Sequence, residues 1–165
     1  MTTLAVKNFS FAYDTGQRNI LNDISFSPVA GSFNLLIGPS GSGKSTLLKA
    51  MAGLMPKFGG IVTGGQILLD GQDIQPVAPF ERAKRVAMLF QNPDRQFAMR
   101  TAPEQIAFAL ENIQLPAEQI QDRVADVMTR LNLTAFAEQD LMTLSGGEKQ
   151  RIGIARAFLH DSPLI

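Results

Sequence analysis

The chain has 165 residues, 45% of them apolar and 18% charged, which suits one domain with a real core and excludes a disordered segment. Its 15 basic and 15 acidic residues cancel, so no basic field steers it onto nucleic acid or an anionic membrane surface. The lack of cysteine excludes disulfides, thiolate metal sites and a cysteine nucleophile and suits a reducing compartment, while no apolar run approaches the roughly 20 residues of a membrane span and no signal-peptide pattern opens the chain.

Leu4 and Val6, then Phe9, Phe11 and Tyr13, alternate with smaller or polar residues. Asp14-Thr15-Gly16 supplies a turn, and residues 20–26 resume an extended pattern, which predicts a hairpin or small antiparallel sheet. Residues 28–31 break the chain. Residues 33–37 then read as a buried strand, and residues 45–54 as a helix with Leu47, Leu48 and Met51 on one face. Gly59, Gly60, Gly64 and Gly65 predict a flexible connection, residues 66–69 a short strand, Asp70-Gly71 a tight turn, and residues 86–90 another apolar strand.

From Thr101 the period becomes helical. Thr101-Ala102-Pro103-Glu104 is a capping box, followed by Ile106, Ala109, Leu110 and Ile113 at helical spacing. Ile120, Val124, Val127, Met128 and Leu131 make a second stripe, and residues 133–138 a short third helix. The pattern predicts an α/β fold with a helical insert between two stretches of core.

Gly38-Pro39-Ser40-Gly41-Ser42-Gly43-Lys44-Ser45 follows the strand predicted at 33–37 and opens a helix. Glycines 38, 41 and 43 let the backbone turn its N–H groups inward at a phosphate, and the helix N-terminus adds its positive end. Lys44 then reaches the β- and γ-phosphates, and the Ser45 hydroxyl is placed to ligate Mg²⁺. An ordinary Gly/Ser-rich turn is the plain alternative, and the full motif between strand and helix favours nucleotide.

Leu144-Ser145-Gly146-Gly147-Glu148-Lys149-Gln150-Arg151 is a second such feature. Ser145-Gly146-Gly147-Glu148 is a capping box, which by itself needs no ligand. Yet two glycines weaken a helix by about 1 kcal/mol each relative to alanine. Without Cβ atoms that N-terminus offers a γ-phosphate its N–H groups, the Ser145 hydroxyl and the dipole end together, and capping and phosphate binding are compatible.

Residues 38–46, Gln91 directly after the 86–90 strand, and residues 144–151 resemble the Walker A motif, Q-loop and signature motif of ABC-type ATPase domains, in matching order and spacing along the chain. The resemblance implies one domain over 1–165, a P-loop NTPase core with an N-terminal antiparallel β subdomain and an α-helical subdomain inserted at about 92–143. It implies ATP and Mg²⁺ as cofactors, held by Gly38, Pro39, Ser40, Gly41, Ser42, Gly43, Lys44, Ser45 and Thr46. Gln91 would touch the Mg²⁺ or attacking-water region while coupling to a membrane partner, and Tyr13 is similar to the aromatic that stacks on adenine. Leu144, Ser145, Gly146, Gly147, Glu148, Lys149 and Gln150 would face ATP held by a second subunit, in a homo- or heterodimer. The implied place is the cytoplasmic face of the membrane, as a peripheral subunit with no nucleic-acid partner.

Leu89-Phe90-Gln91-Asn92-Pro93-Asp94-Arg95-Gln96, the glycine-rich stretch 58–65 and Ile106-Ala107-Phe108-Ala109-Leu110-Glu111-Asn112 resemble the ATPase subunits of energy-coupling-factor transporters. That family implies a transmembrane coupling subunit and a separate membrane protein that selects a vitamin, a precursor, or cobalt or nickel ions. An ordinary importer or exporter ATPase is the alternative within the family.

The family continues beyond the signature helix into a strand ending in an aspartate and a catalytic glutamate, then a switch histidine. Here Asp161-Ser162-Pro163 is the expected turn and Leu164-Ile165 the opening of that strand, so the general base is expected to lie outside these residues. His160 belongs near the end of the signature helix, where a cation favours the dipole. The expectation is an isolated chain that exposes apolar faces, is marginally stable and does not hydrolyse ATP. Three other readings stand beside transport. A soluble ABC-type ATPase of DNA repair shares the motif pair, but neutral charge gives DNA no purchase. A P-loop kinase or small GTPase leaves Gln91 and residues 145–147 without purpose, and the third reading is an inactive fragment.

Overall fold

The apolar alternation at the start of the chain changes parity between Val6 and Phe9, and a flat strand cannot bury both. In the computed structural model, which describes residues 3–57, 59–92, 97–159, 162, 164 and 165, the change is absorbed by bulges. Strand β1 (Leu4–Ala12) keeps Leu4, Val6, Phe9 and Phe11 all buried because its pairing shifts register between Lys7 and Ser10, with Asn8 at φ 49°. The bulge is bonded in place. Asn8 Nδ2 donates to Asp23 Oδ1 at 2.7 Å, Asn8 N–H to Ser25 Oγ at 2.8 Å and Asp23 N–H to Ser10 Oγ at 2.9 Å.

Strands β2 (Leu21–Phe26), β3 (Ile61–Leu69) and β4 (Gln72–Asp73) complete an antiparallel sheet in the order β2-β1-β3-β4. The predicted hairpin is therefore present, and Asp70-Gly71 makes the two-residue turn that pairs Leu69 with Gln72, both residues at positive φ. The flexible connection expected through Gly65 is corrected. Gly64 and Gly65 lie inside β3, and Gly65, at φ +69°, faces the bulge so closely that a Cβ would strike the carbonyl oxygens of Lys7 and Asn8. Helix α1 (Lys44–Met51) buries Thr46, Leu47 and Ala50. Leu48, expected on the buried face, is 45% exposed, because the packed face is centred one residue earlier.

The strand expected at 33–37 is absent. Among the described residues nothing pairs with this stretch, and Phe33 is 95% and Ile37 80% exposed. An extended run becomes a strand only where neighbouring backbone accepts its hydrogen bonds. Of the predicted 86–90 strand, the described residues show one parallel bridge, Val86 to Leu164, with Ala87 N–H donating to Leu164 O at 2.9 Å.

The structure divides into two units, Met1–Ala78 and Pro79–Ile165. The second contains α2 (Pro79–Ala83), α3 (Ala102–Asn112), α4 (Ala117–Arg130), 3₁₀ turns at Thr134–Phe136 and Leu141–Thr143, and α5 (Gly146–Phe158). Its core joins Ile106, Ala109 and Leu110 of α3 with Val127 and Met128 of α4, Leu133, Leu141, Leu144, and Ile152 and Ala155 of α5. Each fully buried Leu or Ile there contributes roughly 1.5–3 kcal/mol. The predicted stripes face this core, with Ile106, Ala109, Leu110, Val127 and Met128 buried and Ile113, Ile120, Val124 and Leu131 partly buried against it. Thr101 N–H donates to Glu104 Oε2 at 3.0 Å, the expected capping box. Phe58, residues 93–96 of the subfamily stretch, and His160, Asp161 and Pro163 lie outside the described residues.

Candidate functional site: a phosphate loop and a glycine-opened helix

The first unit carries the Gly-rich loop. Gly41 and Gly43 adopt φ +81° and +89°, left-handed values that side chains resist, and Gly43 is the residue from which α1 starts, its carbonyl accepting Leu47 N–H at 2.8 Å. A Cβ on Gly43 would stand 2.9 Å from Leu21 Cδ2, so glycine is needed for space as well as for dihedral. One on Gly38 would stand 3.0 Å from Ser42 Oγ, inside the loop's own concavity. The first-turn N–H groups of α1 have no intrahelical acceptor and sit at its positive end.

Lys44 folds over this loop. Its Nζ donates to Gly38 O and Pro39 O, both at 2.7 Å, and lies 3.5 Å from Ser42 Oγ. The ammonium is therefore gathered to the loop by weak neutral acceptors that an anion readily outcompetes. Ser40 and Ser45 are exposed, while Thr46 turns inward. Left-handed glycines, a helix N-terminus, a lysine and an exposed serine hydroxyl form a donor set that fits a nucleotide phosphate with Mg²⁺.

Tyr13, just beyond β1, is tied to the same loop. Its hydroxyl shares a 2.9 Å hydrogen bond with Thr46 Oγ1 of α1, and Phe11 meets its ring edge-on at a 5.3 Å centroid distance. The ring is held at both ends yet 46% exposed. Sequence alone did not show the Thr46 bond, which spans 33 residues.

The second unit carries the other motif. Ser145 caps α5. Its Oγ accepts Glu148 N–H at 3.4 Å, and Glu148 Oε2 accepts the Ser145 hydroxyl and N–H, each at 2.7 Å. These bonds, the hydroxyl's first and the backbone's second, hold the Glu148 carboxyl below its usual pKa. Gly146 and Gly147 are exposed, and a Cβ on either would meet nothing within 4 Å. No internal packing demands glycine here, so the bareness of this helix start faces outward.

Around it, Leu144 is buried and Gln150 exposed, while Lys149 is buried with Nζ donating to Met142 O at 3.3 Å. Gln91 is exposed in the same unit, two residues after Leu89, whose Cδ2 lies where a Cβ on Gly153 of α5 would come within 3.3 Å. An apolar cleft of about 510 Å³ opens between α3 and α4, lined by Pro103, Ala107, Ile120, Val124 and Met128, with no residue of either glycine motif. Asp140, unremarked in the sequence, organises the approach to Ser145 by accepting Met142 N–H at 2.9 Å. An aspartate ahead of a turn was the available signal.

A sequence model of the ABC transporter family matches residues 21–165. The chain is 38% identical over 152 residues to the energy-coupling factor transporter ATP-binding protein EcfA1 of Levilactobacillus brevis, covering 92% of this chain and 53% of that protein. It is 35% identical to the putative HMP/thiamine import ATP-binding protein YkoD of Bacillus subtilis, covering 98% of this chain and 30% of that one. The chain thus spans about half or less of these curated relatives. Its fold matches cbiO1 of Clostridium perfringens, described as part of the ABC transporter complex cbiONQ, with TM-score 0.80 at 24% identity over 96% of this chain and 62% of that one. It also matches the ATP-binding cassette MJ0796, solved as a dimer bound to ADP and Pi, with TM-score 0.78 at 25% identity, covering 96% and 70%. With the phosphate loop, the glycine-opened helix and the family match all in one chain, the protein belongs to the ABC transporter family.

Proposed function

We propose that the chain is part of the ATP-binding subunit of an ABC-type membrane transporter of the energy-coupling-factor kind, using ATP to drive solute uptake. The observation that carries this reading is the pairing of the Gly38–Ser45 loop with a helix start whose two glycines open onto empty space. One cradles phosphate; the other invites a phosphate held by a neighbour. The EcfA1, YkoD and cbiO1 likenesses favour transport over the soluble alternatives.

Gly38, Ser40, Gly41, Ser42 and Gly43 would hold the phosphates through backbone and hydroxyl donors, and Thr46 would add its backbone N–H. Pro39 would shape the loop without donating, and Lys44 would exchange its loop carbonyls for phosphate oxygens. Ser45 and Gln91 would support Mg²⁺, which neutralises developing charge when bound. Tyr13 would stack on adenine. Ser145, Gly146 and Gly147 would face the partner subunit's ATP, with Leu144, Glu148, Lys149 and Gln150 supporting that loop, so a second ATPase subunit is required. A transmembrane coupling subunit and a substrate-binding membrane subunit would hold it at the cytoplasmic face, consistent with no described helix being long and apolar enough to cross a membrane. Residues 1–165 would form one nucleotide-binding domain, with about 92–143 as its helical part.

The test uses the full-length gene product expressed with a tag. It should bind a fluorescent ATP analogue with Mg²⁺, Lys44→Ala should weaken binding at least about tenfold, and a multi-span membrane protein should co-purify. A full-length product that binds no nucleotide and recovers no membrane partner would refute the proposal.

A further inference from the structure

The Ser145 helix start is only as well placed as the turn before it. That turn, Leu141–Thr143, is bonded from several directions. Asp140 Oδ1 accepts Met142 N–H at 2.9 Å, and the Asp140 carbonyl accepts Thr143 N–H at 2.9 Å and Thr143 Oγ1–H at 2.7 Å. Lys149 of α5 reaches back to Met142 O. Asp140 Oδ2 meanwhile accepts Arg100 Nε–H at 3.1 Å, and Leu141 N–H donates to Arg100 O at 2.9 Å.

The Arg100 side chain is 81% exposed, but the backbone on both sides of it is held. The wholly buried Gln105 of α3 accepts Ala98 N–H at 2.7 Å and Met99 N–H at 3.0 Å through its Oε1, and Thr101 caps the same helix. One carboxylate thereby joins the start of α3 to the start of α5, and Leu141 and Leu144 are buried on either side of the turn. We propose that Asp140 is a positioning residue for the Ser145 helix start, presetting its N–H groups toward the partner's nucleotide, with Arg100 as the strut that aims it. This rests on the function proposed above. A donor array of this kind loses much of its value when displaced by about 1 Å, which is what a bonded turn prevents.

The experiment compares wild type, Asp140→Ala, Asp140→Asn and Arg100→Ala in the full-length protein with the subunits that co-purify. It reads hydrogen exchange of peptides spanning 141–148 and 102–112, affinity for a fluorescent ATP analogue, and kcat and KM for ATP. Asp140→Ala should speed exchange at 141–148 about tenfold and leave 102–112 unchanged. Its kcat should fall about three- to tenfold with KM and affinity within about twofold. Asp140→Asn keeps an oxygen for Met142 N–H and should restore slow exchange, and its effect on kcat should be non-additive with Arg100→Ala. Unchanged exchange in Asp140→Ala, acceleration throughout the protein, or local acceleration with wild-type kcat would each overturn the positioning role. Wild-type protein that binds no ATP would instead refute the functional reading, and the role with it.

Discussion

In Gly147→Ala the added methyl meets no atom within 4 Å, at the second position of α5. Alanine exceeds glycine by about 0.8–1.0 kcal/mol in a helix interior, and about half of that is a fair figure for the first turn. Such a gain raises Tm by about 1–2 °C in a protein of 150–250 residues. The same methyl stands on the outward surface beside Ser145, where an approaching phosphate would be held off by about 1 Å or more, a displacement that can slow a positioned reaction by about 100-fold. The variant should therefore be slightly more stable than wild type and turn over ATP at least about tenfold more slowly. Differential scanning fluorimetry and phosphate release, both on the full-length protein, measure the two effects. A lower Tm would show that the space is not open. Wild-type turnover would show that the glycine pair serves only the helix start, leaving the capping box as the whole meaning of the motif.

Tyr13→Phe loses the bond to Thr46, worth about 0.5–1.5 kcal/mol, but keeps the ring, so ATP affinity should hold; Tyr13→Ala should lose roughly fivefold or more in a fluorescent-nucleotide titration, and unchanged affinity would remove its stacking role. Glu104, Asp140 and Glu148 all have lowered pKa values, chiefly through Thr101 N–H, Met142 N–H and the Ser145 hydroxyl respectively. A carboxyl more acidic when folded stabilises fully above its unfolded pKa and loses that contribution as pH falls through the folded one. Thermal stability should therefore be level near neutrality and decline below about pH 4, less so in Glu148→Gln. Gly65→Ala combines a left-handed φ with a collision against Lys7 and Asn8 carbonyls, and should lower stability by about 2 kcal/mol or more in urea unfolding.

Both capping boxes were legible in the sequence because each closes within three residues, as was the Asp70-Gly71 turn. The helical stripes of α3 and α4 were legible for a similar reason, since helix hydrogen bonds are local and only the buried face needs a partner. The phosphate loop and glycine-opened helix could be read because their chemistry depends on residue type at fixed spacing. Strand identity was different. Residues 33–37 are as apolar as any strand here, but no described backbone pairs with them, whereas Gly64 and Gly65 join β3 because the bulged β1 lies against them. The parity change between Val6 and Phe9 was visible, but Asn8, Asp23 and Gly65 resolve it across 15 to about 60 residues. The same holds at the candidate site, where Tyr13 finds Thr46 and Asp140 finds Arg100 over 33 and 40 residues. What the residues determined by themselves is which groups are available to a phosphate in the proposed function; what tertiary structure decided is how firmly they are held, because the groups that hold them come from distant parts of the chain.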